Sequence, residues 1–189
     1  MASPLQSVWP ECDNTALLIV DMQEKLLKAM PEGPREQMLR NAGILIESAR
    51  RLGLPVLASE QYPKGLGPTV PEIRERLGSV RPVEKMVFSC LGEEDFRRQV
   101  EESGRRAFIL AGVENHVCVL QTALDLVAAG HHVFLARDAT CSRTKANWKT
   151  GCEVMAAGGV TISSTETLLF QLLREAGTAA FNEISKLIR

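Results

Sequence analysis

No apolar run in this sequence approaches the roughly 20 residues that a bilayer-spanning helix needs, so no membrane association is expected. The opening stretch MASPLQSVWPECDNT also lacks a basic lead followed by an apolar core, and no export leader is read in it. An excess of charge of one sign is missing too. The 22 Lys and Arg residues stand against 23 Asp and Glu residues spread along the chain, a formal net charge of −1. Nucleic acids and anionic membrane surfaces are therefore not expected partners. Cysteine occurs in an odd number, five (Cys12, Cys90, Cys118, Cys141 and Cys152), without CxxC or other metal-ligand spacing. That argues against a disulfide framework and against a structural zinc. Free thiols suit a reducing compartment, and a cytoplasmic location is expected. Nucleotide-binding signatures are absent as well: no GxGxxG follows the first strand, no GxxxxGK[ST] occurs, and Gly65-Leu66-Gly67 sits in a proline-bounded loop. No cofactor is expected.

What the sequence does contain is a strand and a helix in steady alternation. With 189 residues, 45% hydrophobic and 24% charged, one domain over residues 1–189 can bury a full core. TALLIVD, Thr15 to Asp21, is a short branched apolar run that stops at an acid and reads as a central strand buried on both faces. After Pro34, the positions Met38, Leu39, Ala42, Leu45, Ile46 and Ala49 recur at helical spacing, and Gly53 provides a left-handed stop. Leu54 to Glu60 reads as the second strand, followed by the proline-stiffened loop QYPKGLGPTVPEI. Val83 to Ser89 is a weaker third strand. The unit then repeats through helix GEEDFRRQVEESG, strand RAFILAG, a helix from Asn115 to Gly130, strand HVFLARD, a further helix, strand GVTISS and a closing helical segment to Arg189. Such alternation predicts an α/β three-layer sandwich, a mostly parallel sheet with helices on both faces.

In such folds, ligands bind along the rim formed by the C-terminal strand ends. Asp21 ends the first strand, Lys85 lies in the third, the turn GVENHVC follows the fourth, and Asp138 ends the fifth. Each has an ordinary reading: Asp21 as a local cap, Lys85 as a solvated edge charge, Cys118 as buried filler. His116 is a poor base for Cys118, because positions two apart on a helix point in different directions. His131 and His132 are expected to be exposed. Joint placement favours chemistry. A thiol in the first turn of a helix capped by Asn115 would be ionised by the positive helix end, a carboxylate can take its proton, and an ammonium can aim that carboxylate. Backbone N–H groups of the Glu114 to Cys118 turn would face an oxygen that becomes negative on attack.

LLIVDMQ, KMVFS and AGVENHVCVLQTALDL resemble, in order and spacing, the signature segments of the isochorismatase-like cysteine hydrolases. SEQYPKGLGPTVPE is similar to the isochorismatase domain-containing proteins within that superfamily. The resemblance implies catalytic Asp21, Lys85 and Cys118, a six-stranded Rossmann-like sheet, a homo-oligomer, and a cis peptide between Val113 and Glu114. Some relatives hold a metal through histidines upstream of the lysine. All three histidines here lie at or beyond His116, so no metal is expected. The implied activity is hydrolysis of a small amide or related carbonyl substrate: Cys118 attacks, Asp21 moves the proton, Lys85 stabilises Asp21, and the N–H groups of Glu114 and Cys118 hold the oxyanion. Gln23, Tyr62 and Phe88 are expected to line the pocket. Two alternatives stay open, a thiol-based redox sensor and a non-catalytic interaction protein on the same fold.

Overall fold

A computed structural model describes residues 9–188. The segment read for a leader, residues 1–8, and the expected end of the last helix, Arg189, lie outside the described residues. Six strands form one sheet: β1 (Thr15–Val20), β2 (Val56–Gln61), β3 (Val83–Lys85), β4 (Ala107–Gly112), β5 (His132–Thr140) and β6 (Thr161–Ser163). Their spatial order is β3-β2-β1-β4-β5-β6, and every pairing is parallel. β1 is central, and all six of its residues are buried. Parallel strands covered on both sides need apolar side chains in both directions, which the run TALLIV supplies without alternation.

The longer helices divide between the two faces. Leu17, Ile19, Ile109, Ala111, Phe134 and Ala136 pack on one side, beneath α2 (Glu32–Leu52), α8 (Thr165–Leu173) and α9 (Ala179–Ile188). The intervening residues Ala16, Leu18, Val20, Phe108, Leu110, Val133 and Leu135 meet α5 (Glu94–Glu102), α6 (Cys118–Ala128) and α7 (Lys145–Ala157) on the other. The period-two pleat thus feeds two separate cores. The amphipathic helices close each core by the same stripe of residues that the sequence displayed.

Boundaries differ from the sequence expectation where local chemistry overrides the pattern. α2 starts at Glu32, and Pro34 lies inside its first turn, where a missing N–H costs no intrahelical bond. The loop after β2 contains two short helices, α3 (Pro63–Leu66) and α4 (Pro71–Leu77), each opened by a proline. A further short helix, α1 (Glu24–Lys28), follows β1. β3 ends at Lys85 instead of Ser89. Beyond Lys85 the chain bends so that the carbonyls of Val87 and Phe88 face back to the Lys85 Nζ, which a straight strand would prevent. The closing helical segment breaks between α8 and α9, where Arg174 and Gly177 adopt left-handed φ values of 62° and 83°.

Candidate active site

β1 lies between β2 and β4, so the chain's crossovers reverse direction at its C-terminal end and leave a crevice there. Asp21 is the first residue past β1, fully buried, with a left-handed φ of 50° that turns its carboxylate toward β2 and β3. Its Oδ1 accepts a hydrogen bond from the Ser59 hydroxyl at 2.7 Å, and its Oδ2 accepts one from Lys85 Nζ at 2.7 Å. Lys85 also donates to Gln61 Oε1 at 2.7 Å and to the Phe88 carbonyl at 3.0 Å, so its three protons are all engaged. Burial, the largest single influence, works against the ammonium, but the Asp21 carboxylate together with Cys90 and Cys118 outweighs it. The Lys85 pKa ends above its ordinary 10.5. Lys85 is therefore a fixed cation that steers Asp21.

Cys118 opens α6 and is 6% exposed. Its thiol lies close enough to Asp21 and Lys85 to feel both charges. Burial, and then the Asp21 charge, push its pKa far above the ordinary 9.0, while Lys85 acts in the opposite direction. The expected resting thiolate is thus corrected. A helix end stabilises an anion by about 1 kcal/mol, which does not offset placing a second anion beside a buried carboxylate. At the end of β1 a buried Asp21–Lys85 ion pair thus stands beside a Cys118 thiol whose pKa is raised.

The turn before Cys118 is held from several sides. The Val113–Glu114 peptide is cis. Gly112 has φ 135°, and a Cβ there would lie 2.0 Å from the Val20 carbonyl oxygen, so only glycine lets β4 run this close to β1. The Asn115 N–H donates to the Cys141 carbonyl at 2.8 Å, and the Glu114 carboxylate accepts from the backbone N–H of Arg143 at 3.0 Å and from its Nε at 3.1 Å. Asn115 does not cap the helix. The cap position is Val117, and the Asn115 side-chain amide instead donates to the Trp148 carbonyl at 2.8 Å and the Cys152 sulfur at 3.3 Å on α7. His116 Nδ1 lies 3.0 Å from Ser142 Oγ, engaged away from Asp21 and Lys85. His131 and His132 are half-buried, not exposed; the His131 ring meets Phe108 edge-on with centroids 4.9 Å apart.

Other expected residues fall elsewhere. Gln23 is fully buried. Its Nε2 donates to the Gln61 and Gly67 carbonyls at 2.9 and 2.7 Å and its Oε1 accepts from the Gln61 N–H at 2.7 Å, so it braces the end of β2 instead of lining a pocket. Tyr62 and Phe88 are exposed; Tyr62 borders a cleft of about 330 Å³ beside Lys85 and Met86. Asp138 lies within β5, and its Oδ1 accepts from the N–H and hydroxyl of Thr165 at 2.7 and 3.0 Å, tying β5 to the first residue of α8, whose own N-cap is Ser164. Among the described residues no group of three or more His, Cys, Asp or Glu side chains could hold a metal ion, and no helix is long and apolar enough to cross a membrane.

Three contributors escaped the sequence reading. Ser59 and Gln61 sit two apart on β2 and so present their side chains to the same face, one to Asp21 and the other to Lys85. Polar residues at that spacing on an otherwise buried strand were the available signal. Cys90 is fully buried, donates to Ser59 Oγ at 3.3 Å, and has its pKa pushed up to about 11 by burial and by Asp21. No spacing pattern in the sequence pointed to it.

Comparison with known proteins agrees with this geometry. The isochorismatase domain matches residues 15–167. Isochorismatase domain-containing protein 2A of Mus musculus is 35% identical over 181 residues, 94% of this chain and 84% of its own length. The solved MAR1 ribonuclease from Caenorhabditis elegans is 31% identical, with a TM-score of 0.88 over 95% of this chain and 92% of that one. YcaC from Pseudomonas aeruginosa, solved with hexane-2,5-diol and covalent acrylamide, shares the fold at 24% identity and a TM-score of 0.88, over 95% and 91% of the two chains. With a matching domain over most of its length and a relative at this level of identity, the chain belongs to the isochorismatase family of hydrolases.

Proposed function

We propose that this protein is a metal-independent cysteine hydrolase that opens the C–N bond of a small amide through a thioester on Cys118. The observation that carries the reading is the buried grouping of Lys85, Asp21 and Cys118: an ammonium 2.7 Å from one carboxylate oxygen, and a buried thiol on which both charges act. As the Cys118 sulfur forms its bond to the substrate carbonyl carbon, its proton passes to Asp21, so thiolate character arises only during attack. Negative charge moves to the carbonyl oxygen, where the N–H groups of Glu114 and Cys118 receive it; first-turn N–H groups lack partners inside a helix. Asp21 then delivers the proton to the leaving nitrogen as the C–N bond breaks. Water, giving a proton back to Asp21, attacks the thioester and releases the acid with the regenerated thiol. Lys85 keeps Asp21 ionised between these transfers and does not touch the substrate.

A small-molecule substrate fits this chain better than RNA, despite the ribonuclease description of the C. elegans relative. A net charge of −1, with basic and acidic residues in near balance, leaves little to neutralise a phosphate backbone. The covalent acrylamide described for YcaC supplies a probe. Intact-mass analysis of wild type with acrylamide, and with a panel of simple amides and ureides, should give one adduct mapping to Cys118 and release of ammonia or amine. Cys118→Ala should show neither. Full turnover by Cys118→Ala would remove the thiol from the reaction. Peroxide oxidation of Cys118 with no amide turnover would favour a redox role.

A further inference from the structure

We propose that the cavity between the start of α2 and the β5–α7 connection is a binding site for a small planar carboxylate, separate from the Cys118 site. The cavity encloses about 450 Å³, within the range of small-ligand pockets. Pro31 and Pro34 form one wall; Arg137, Ser142, Lys145 and Trp148 stand on the other side. Asp21, Lys85 and Cys118 do not line it.

Two features define the ligand. The first is charge. Neither Arg137 nor Lys145 has an acidic partner among the described residues, and both line the same concavity, so their fields add there. Asp138 is the one carboxylate in the lining, and its Oδ1 is committed to the N–H and hydroxyl of Thr165. The 13-residue helix α7 starts at Lys145 and directs its positive end to the same rim. An arginine beside a lysine matches a carboxylate, which the guanidinium can grip with two parallel hydrogen bonds. The second feature is shape. The Trp148 ring is immobilised by its Nε1–H bond to Thr140 Oγ1 at 3.1 Å and by the Arg137 guanidinium 5.8 Å from its centroid. An indole held in place in the same lining as two rigid proline rings favours a flat body over a branched one.

The floor of this cavity is shared with the catalytic turn. Cys141 accepts the Asn115 N–H, and Ser142 meets His116. A bound carboxylate therefore lies one residue layer from the segment that positions Cys118.

The test uses the Cys118→Ala protein, so its result does not depend on hydrolysis. Adding Trp9→Phe leaves Trp148 as the only tryptophan of the two in the chain. Benzoate should change Trp148 emission saturably, with a Kd of millimolar order or tighter, about −4 kcal/mol. Replacing both cations, Arg137→Gln with Lys145→Gln, should weaken binding at least ~10-fold. Benzamide, which keeps the ring and loses the charge, and acetate, which keeps the charge and loses the ring, should each bind at least ~10-fold more weakly than benzoate. No saturation by benzoate, equal affinity in the double variant, or equal affinity for benzamide or acetate would each overturn the assignment.

Discussion

Replacing Lys85 by Met tests the energetics of the site at its centre. The substitution keeps an unbranched chain of similar length and removes the Nζ that bonds Asp21 at 2.7 Å, Gln61 at 2.7 Å and the Phe88 carbonyl at 3.0 Å. Asp21 stays fully buried, with the Ser59 hydroxyl as its remaining side-chain donor and the Cys118 thiol nearby. Deleting one member of a buried ion pair costs about 3–5 kcal/mol, because the other charge loses its compensation. Set against a total stability of about 5–15 kcal/mol, that leaves a folded but visibly weakened protein. Asp21→Asn combined with Lys85→Met removes both charges and should recover a large part of the loss, a coupling of about 2 kcal/mol. Urea unfolding followed by circular dichroism near neutral pH gives all four corners of the cycle. The sign of the pH dependence is fixed by the raised Lys85 pKa: its contribution is complete below the unfolded value of 10.5 and is lost as pH rises through the higher folded value. The gap between wild type and Lys85→Met should therefore stay level from about pH 7 to about pH 10 and narrow only above that. A Lys85→Met cost below about 1 kcal/mol, or no coupling with Asp21→Asn, would refute the view that the pair is held together by mutual compensation.

Three further perturbations probe other parts of the site. Since burial and Asp21 raise the Cys118 pKa, alkylation by iodoacetamide should accelerate steadily with pH through and beyond 9.0, and a rate plateau near neutrality would mean a preformed thiolate. Gly151→Ala, normally worth up to about 1 kcal/mol in a helix interior, should here cost activity and stability; its Cβ would lie 2.9 Å from the Asn115 carbonyl oxygen and 3.0 Å from His116 Cα. Steady-state turnover and thermal melting check both effects, with a stabilised, fully active variant as the contrary result. Asp138→Ala should lower stability by about 1–3 kcal/mol, by leaving the buried Thr165 N–H and hydroxyl without their acceptor, while amide turnover is retained, which separates this rim acid from Asp21.

The alternation of buried strands and amphipathic helices was legible because parallel strands and their covering helices leave different periods in the chain. The sheet, the central position of β1 and the two-sided core follow from that difference. Asp21, Lys85 and Cys118 were legible because two stand at strand ends and the third opens the helix after the fourth strand, places that the topology must bring to one rim. Their protonation was not. Proximity to a helix start suggested an acidic thiol, whereas the net effect depends on burial and on how near Asp21 sits, which are tertiary quantities. Asn115 looked like a cap for the same reason: its local sequence allows capping, but α7 passes close enough to take its amide. Gln23 belonged to the right motif and was assigned the wrong task, since only the folded chain brings the Gln61 backbone within its reach. Cys90 left no sequence signal at all, because an isolated apolar thiol and one that faces Ser59 read alike.

The acid and the ammonium that meet across the sheet are separated by 64 residues of chain. Closing so long a segment is entropically expensive, and the three-residue β3 offers few ladder bonds to help. During refolding, regained turnover should consequently lag behind recovered helix signal. Enzyme activity thus becomes a late timer for edge-strand docking, sensitive to defects that spectroscopy of the bulk fold would miss.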